Sequence, residues 1–195
     1  MKIFVDFDDT LVKSRRAIVK CVNDMFHLSR TEDDITDWGF RSLKSDFTRK
    51  DVEGLFESDA FWNNVELYEG AVETLKGHEV HLCTVGTKKN LQRKAEFLSK
   101  HSLPYLPAFV NSDEGKSQKD KKSFDMTGAI QIGDTWQELE HTNASVKILF
   151  KDYRDYPWQE VPPNAEVYIV DTWKEISEII GWCSKYGSPC NAADR

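Results

Sequence analysis

Apolar residues in this chain gather in short runs set far apart, with longer amphipathic stretches between them. The runs fall at 2–7, 79–85, 105–110, 129–132, 146–150 and 166–170. Each is short and rich in β-branched or aromatic residues, the pattern of a strand buried in a sheet. The stretches between them change period. Residues 90–101 place Leu91, Ala95 and Leu98 on one helical face, 135–144 read as a second helix, and 172–186 carry Trp173, Ile176, Ile179, Ile180 and Cys183 on one side. Strands alternating with helices predict an α/β fold, a parallel sheet with helices on both faces.

One region breaks the alternation. About seventy residues separate the first strand from the second, far more than a plain crossover needs. Residues 14–28 have an amphipathic helical pattern. Thr31 can cap a further helix, with Asp34 three residues on as its reciprocal partner. Trp38, Gly39 and Phe40 suggest a turn, and 46–58 another helix. The expectation is a small helical cap over the strand ends. The chain then divides into a core domain of residues 1–13 and 71–195 and a cap of residues 14–70. The tail from 187 to 195 is expected to be loose.

Composition narrows the picture. The chain has 195 residues, 30% charged and 39% hydrophobic, which suits a folded α/β domain with an insertion and not a disordered segment. Its net charge of −7 gives no general footprint for a nucleic-acid backbone, so a polynucleotide partner is not expected. Free nucleotides stay open, because a metal ion and a few lysines can offset their charge. A local cluster of Lys116, Lys119, Lys121 and Lys122 could supply these, although a solvated loop accounts for at least some of the four. Cys21, Cys83, Cys183 and Cys190 form no zinc spacing. Cys83 sits in an apolar run and reads as a buried thiol. Cys183 and Cys190 could bridge, but a chain with no export signal points to a reducing compartment. With no apolar run of ~18 residues either, a cytoplasmic protein without a membrane partner is expected.

The candidate chemistry begins at Asp6, Asp8 and Asp9, directly after the first strand. Ligands of open α/β sheets bind at the carboxyl ends of strands. Three acids so close repel one another unless a cation sits among them, and hard carboxylate oxygens suit Mg²⁺. An acidic turn or helix cap is the plainer explanation of this segment taken by itself. A second acidic strand end weighs against that explanation: residues 129–132 lead into Gly133, Asp134 and Thr135, with Glu138 one helical turn further. Two strand ends carrying acids describe one metal pocket better than two unrelated caps.

At these residues the chain resembles the haloacid dehalogenase (HAD) superfamily of phosphatases. Asp6-Phe7-Asp8-Asp9-Thr10 matches that family's D-x-D-x-T signature. The resemblance implies a HAD-like Rossmannoid core in which Asp6 attacks phosphorus and Asp8 serves as acid and base. It assigns phosphate binding to Thr84 and Val85 at the end of the next core strand, and to a lysine before the strand of Asp134. Lys122 is the expected lysine and Lys119 the second choice. Mg²⁺ would be held by Asp6, Asp134 and the backbone carbonyl of Asp8, with Glu138 in support. The acid at position 8 suits phosphate-ester hydrolysis, which the dehalogenase relatives, lacking it, do not perform.

Within the superfamily, residues 34–40 and 61–71 resemble the 5′(3′)-deoxyribonucleotidase branch, as does Cys83-Thr84. Gly133-Asp134, where that branch has Asp-Asp, and Thr84-Val85-Gly86, where it has Thr-Ser-Pro, depart from it. The implied substrate is a (deoxy)nucleoside monophosphate. Another small phosphomonoester, such as a sugar phosphate, is the alternative, and a catalytically silent binding protein a more distant one. A homodimer is allowed for. A base would need aromatic faces, for which Phe7, Phe40, Phe47, Phe61 and Trp62 are candidates, although aromatics at helical spacing usually fill a cap's own core. Arg41 and Lys44 could meet sugar or phosphate.

Overall fold

The structure, a computed structural model, describes residues 1–187. Its centre is a parallel sheet built from β1 (Lys2–Val5), β2 (Glu79–Leu82), β4 (Leu106–Pro107), β6 (Ile130–Gly133), β7 (Val146–Phe150) and β8 (Tyr168–Val170), in the order β4-β2-β1-β6-β7-β8. Two short strands, β3 (Val85–Gly86) and β5 (Val110–Asn111), pair beyond its edge. β1 and β6 are buried almost throughout, because helices cover both faces of the sheet.

The helices are α1 (Ser14–Phe26), α2 (Arg49–Glu57), α3 (Asp59–Trp62), α4 (Ala71–Leu75), α5 (Lys88–Lys100), α6 (Trp136–Glu140) and α7 (Trp173–Tyr186). α7 starts at Thr172, whose hydroxyl accepts from the Glu175 N–H while the Glu175 carboxylate accepts from the Thr172 N–H. It then buries Trp173, Ile176, Ile180 and Cys183. Burying each such side chain contributes roughly 1.5–3 kcal/mol relative to leaving it in water. The Trp173 indole N–H also donates to the Thr10 carbonyl at 2.9 Å, tying this helix to the loop after β1.

Several elements are shorter than the apolar pattern predicts. The run at 105–110 splits between β4 and β5, with the Ala108 N–H donating to Leu82 in between. The run at 79–85 breaks after Leu82, so that Cys83 and Thr84 pass from the sheet into the β3–β5 pair. The helix expected over 135–144 ends after Glu140. The one at 46–58 begins only at Arg49, since Thr48 is its cap. Thr31 and Asp34 bond as the pattern predicts, but the helix they cap is a single 3-10 turn, Glu32–Asp34. The turn at 38–40 is held by the Asp37 carboxylate, which accepts backbone N–H groups from Gly39, Arg41 and Ser42.

Between β1 and β2 the described chain is helical, and its apolar face is not a separate core. Ile18, Cys21 and Val22 of α1, with Phe61 of α3, pack in one cluster with Ile3, Val5 and Ile132 of the sheet. Cys21, Cys83 and Cys183 are buried, and burial pushes the Cys83 thiol up to about 12, well away from a reactive range. Cys190 and the tail beyond 187 lie outside the described residues.

Candidate active site

The site forms where three strands end side by side. Val5 is in register with Leu82 on one side and Ile132 on the other. The next residues along each strand therefore converge: Asp6 from β1, Cys83 and Thr84 after β2, and Gly133 and Asp134 from β6. The Asp6 N–H donates to the Ile132 carbonyl at 3.0 Å, which locks the first acidic residue against the second strand end.

Asp6, Asp134 and Glu138 each bring one carboxylate oxygen within 4.8 Å of the others, and all three are buried. Oδ1 of Asp134 and Oε1 of Glu138 accept no hydrogen bond, and Oδ1 of Asp6 has only the ion-pair contact of a lysine ammonium 3.0 Å away. Buried carboxylate oxygens left without donors are costly, and they have the chemistry of a hard-cation shell. Burial pushes the Asp134 carboxyl up to about 6, against the pull of Arg15 and with the push of Asp6. Burial raises Glu138 as well, with Asp6 adding to the rise. Gly133 has a steric reason here, because a Cβ at that position would collide with Oε1 of Glu138. Glu138 from α6 thus fills the space beside Asp134 that a side chain at 133 would otherwise occupy.

The lysine at the site is Lys121, a correction to the expectation of Lys122 or Lys119. Residues Gln118–Ser123 form a 3-10 helix that turns Lys121 inward to 0% exposure, while Lys119 and Lys122 are exposed. Its ammonium lies 3.0 Å from Oδ1 of Asp6 and donates to Oε2 of Glu138 at 2.6 Å. Those two carboxylates outweigh burial and hold the lysine above its ordinary range.

Asp8 belongs to a different cluster. Its carboxylate accepts from the Ser14 hydroxyl on Oδ1 at 2.7 Å and from the Lys94 ammonium on Oδ2 at 2.6 Å. Lys94 also donates to the Thr84 hydroxyl at 2.7 Å and the Val85 carbonyl at 3.0 Å. Thr84 is buried, with its Oγ1 on this lysine, and Val85 opens onto the cavity below. Asp9 has a φ of 50° and lines the same cleft, its carboxylate accepting the Arg15 N–H at 2.9 Å and lying 3.3 Å from the Arg15 guanidinium. The same guanidinium donates to Oδ2 of Asp134 and lies 4.3 Å over the Tyr156 ring, which stacks on Trp158.

Lys94 and Arg15 escaped the sequence reading, although a signal exists for each. Lys94 is three residues after Leu91 and four before Leu98, on the stripe that faces the core. Arg15 is three residues before Ile18 and seven before Val22, on the buried face of α1. A cation on an apolar stripe must find a carboxylate, and both do.

A cavity of about 660 Å³ opens above these groups, within the range of small-molecule sites. Asp6, Asp8 and Arg15 line it, and Trp38, Phe40, Phe47, Phe56 and Trp158 supply aromatic walls. Phe40 and Arg41 also line it. Phe7 and Trp62 do not: Phe7 is fully buried, and its ring meets Trp62 and Phe97. The Trp62 indole donates to the Phe56 carbonyl at 2.9 Å. The two rings pack with Phe97, and neither lines the cavity. Phe61 is likewise buried, and Lys44 is paired with Asp46.

This architecture is that of the HAD-like hydrolases. Among solved structures, a predicted phosphatase from Clostridium acetobutylicum superposes with a TM-score of 0.62 at 17% identity, covering 93% of this chain and 98% of its own. A HAD family hydrolase from Deinococcus radiodurans, solved with bound phosphate and sodium, gives 0.61 at 13% identity, with 94% and 96% covered. The HAD-hydrolase YfnB from Bacillus subtilis, bound to magnesium, gives 0.60 at 13% identity, with 92% and 97% covered. No family model matches the sequence, and no curated protein matches it. Among the described residues no helix is long and apolar enough to cross a membrane.

Proposed function

We propose that this chain is a magnesium-dependent phosphomonoesterase that works through a covalent phosphate on Asp6. The observation that carries the reading is the separation of two carboxylate sets at adjoining strand ends. Asp6, Asp134 and Glu138 share a buried pocket with Lys121, while Asp8 is anchored apart on Ser14 and Lys94. One set suits a metal and a nucleophile, and the other suits proton transfer.

The pocket fits Mg²⁺, held by Asp6, Asp134 and the Asp8 carbonyl, with Glu138 behind them. When bound, the ion would offset charge on the phosphoryl oxygens. Asp6 attacks phosphorus as the bond to the leaving oxygen breaks, and Asp8 gives that oxygen its proton. Asp8 then takes a proton from the water that releases phosphate from Asp6. Thr84, the Val85 backbone and Lys121 hold the phosphoryl oxygens. The magnesium in YfnB and the phosphate in the Deinococcus hydrolase lend support by likeness of fold.

We assign residues 14–70 to substrate selection, as a cap over a core of residues 1–13 and 71–195. The aromatic walls of the cavity favour a ligand with a flat apolar face, which a nucleoside monophosphate has and a sugar phosphate lacks. The test is a panel of phosphomonoesters with and without Mg²⁺. Magnesium-dependent turnover, lost in Asp6→Asn with the fold intact and highest on deoxynucleoside monophosphates, is expected. Full activity of Asp6→Asn would sink the mechanism. A profile biased to sugar phosphates would remove the nucleotide assignment only.

A further inference from the structure

Lys94 is an outlier in its own helix. It occupies the core-facing stripe of α5 between Leu91 and Leu98, has 0% exposure, and lies 5.2 Å over the Phe7 ring. A lysine in such a place survives only if its ammonium is fully used. It is: three N–H groups meet three acceptors, Asp8 Oδ2 at 2.6 Å, Thr84 Oγ1 at 2.7 Å and the Val85 carbonyl at 3.0 Å. No donor is left for a substrate, so Lys94 does not bind phosphate itself.

We infer that Lys94 is a positioning residue that fixes the proton-transfer geometry of Asp8 and the donor direction of Thr84 together. The inference rests on the phosphomonoesterase reading above. An ammonium can only donate, so the Thr84 oxygen must accept from it, and the hydroxyl hydrogen is left to point elsewhere. Thr84 thereby becomes a fixed donor at the end of β2, where a phosphoryl oxygen would lie. Asp8 is gripped on both oxygens, by Ser14 on one and Lys94 on the other. Each carboxylate oxygen has two lone-pair directions, so both grips still leave room for the proton that moves to the leaving oxygen. Through the Val85 carbonyl, the same ammonium joins this acid to the backbone after β2. Misplacing an acid by about 1 Å can cost on the order of a hundredfold in rate.

A leaving-group comparison separates this role from a structural one. Phenyl phosphate and p-nitrophenyl phosphate differ little in shape, but the phenolate needs a proton far more than the nitrophenolate does. In Lys94→Met, kcat/KM should fall on both esters as Thr84 loses its fixed direction. It should fall at least about tenfold further on phenyl phosphate, within the range of a general-acid contribution. Equal losses on the two esters, or no loss, would overturn the inference. A purely structural lysine would lower the melting temperature and leave the ratio alone.

Should Lys94→Met not fold, Asp8→Asn and the double variant Asp8→Asn/Lys94→Met carry the test, because the double variant swaps the buried ion pair for a neutral one. With the acid already gone, the added change should leave the phenyl to p-nitrophenyl ratio where Asp8→Asn set it. A further drop in that ratio would show that Lys94 acts by another route. If the unaltered protein turns over neither ester with Mg²⁺, the phosphomonoesterase reading itself falls. Turnover by the unaltered protein with equal losses in Lys94→Met removes the positioning role alone.

Discussion

The lysine beside Asp6 shows how finely single residues divide the work. Four lysines crowd into 116–122, yet a 3-10 helix buries only Lys121 and leaves Lys116, Lys119 and Lys122 outside. Nothing in the sequence ranks them, because a six-residue 3-10 helix has no apolar period to set its phase. Lys121→Met should lower kcat/KM by at least about a hundredfold, the scale of losing one preorganised charge at a phosphoryl group. Lys122→Met should leave it unchanged, and steady-state rates on p-nitrophenyl phosphate check both. Gly133 makes a second point at this scale. Gly133→Ala would push Glu138 off its seat beside Asp134, so Mg²⁺ binding measured by calorimetry should weaken about tenfold or more. Asp6 and Asp134 were legible as neighbours because each directly follows an apolar strand. The cations that hold Asp8, Asp9 and Asp134 were not, because Lys94 and Arg15 look like ordinary surface cations until their helical faces are known.

Among the elements, those with a long apolar period were the readable ones. α1, α5 and α7 lie close to where the pattern puts them, since a stripe over three or more turns leaves little freedom of type. Elements near the site came out shorter. β2 and β4 stop early because Cys83, Thr84 and Ala108 must leave the main sheet for the β3–β5 pair, which brings Val85 to the cavity and keeps Thr84 buried on Lys94. α6 ends after one turn and a half, long enough to deliver Glu138. Strand ends bent toward a ligand do not follow the period that sheet interiors follow. The caps, in contrast, follow local chemistry and are testable far from the site. Thr172→Ala removes the hydroxyl that accepts the Glu175 N–H and keeps the backbone half of the capping box of α7, which should cost about 1 kcal/mol. The expected result is a lower melting temperature with kcat/KM retained, apart from any effect passed through the Trp173 bond to Thr10.

At the scale of the whole molecule, the buried acids make folding and metal binding compete for the same pH range. Asp134 has its carboxyl pushed up from 3.8 to about 6 by burial, and Glu138 is raised by the same cause. A carboxyl with a raised folded pKa holds its proton more tightly in the folded state than in the unfolded chain. Its contribution to stability is therefore present at low pH and is lost as pH rises through about 6. Without metal, the melting temperature should fall between pH 5 and pH 8, since each step leaves more uncompensated charge in the pocket. Mg²⁺ needs the ionised form, so its affinity should rise over the same interval, and saturating metal should flatten the decline. Melting curves across this range, with excess magnesium and with EDTA, read both effects at once. Parallel curves separated by a constant offset would mean that the cation binds somewhere other than among Asp6, Asp134 and Glu138. Converging curves at pH 5 that part toward pH 8 would locate it there, because only a site whose ligands titrate in that window ties the metal's stabilisation to pH in this direction.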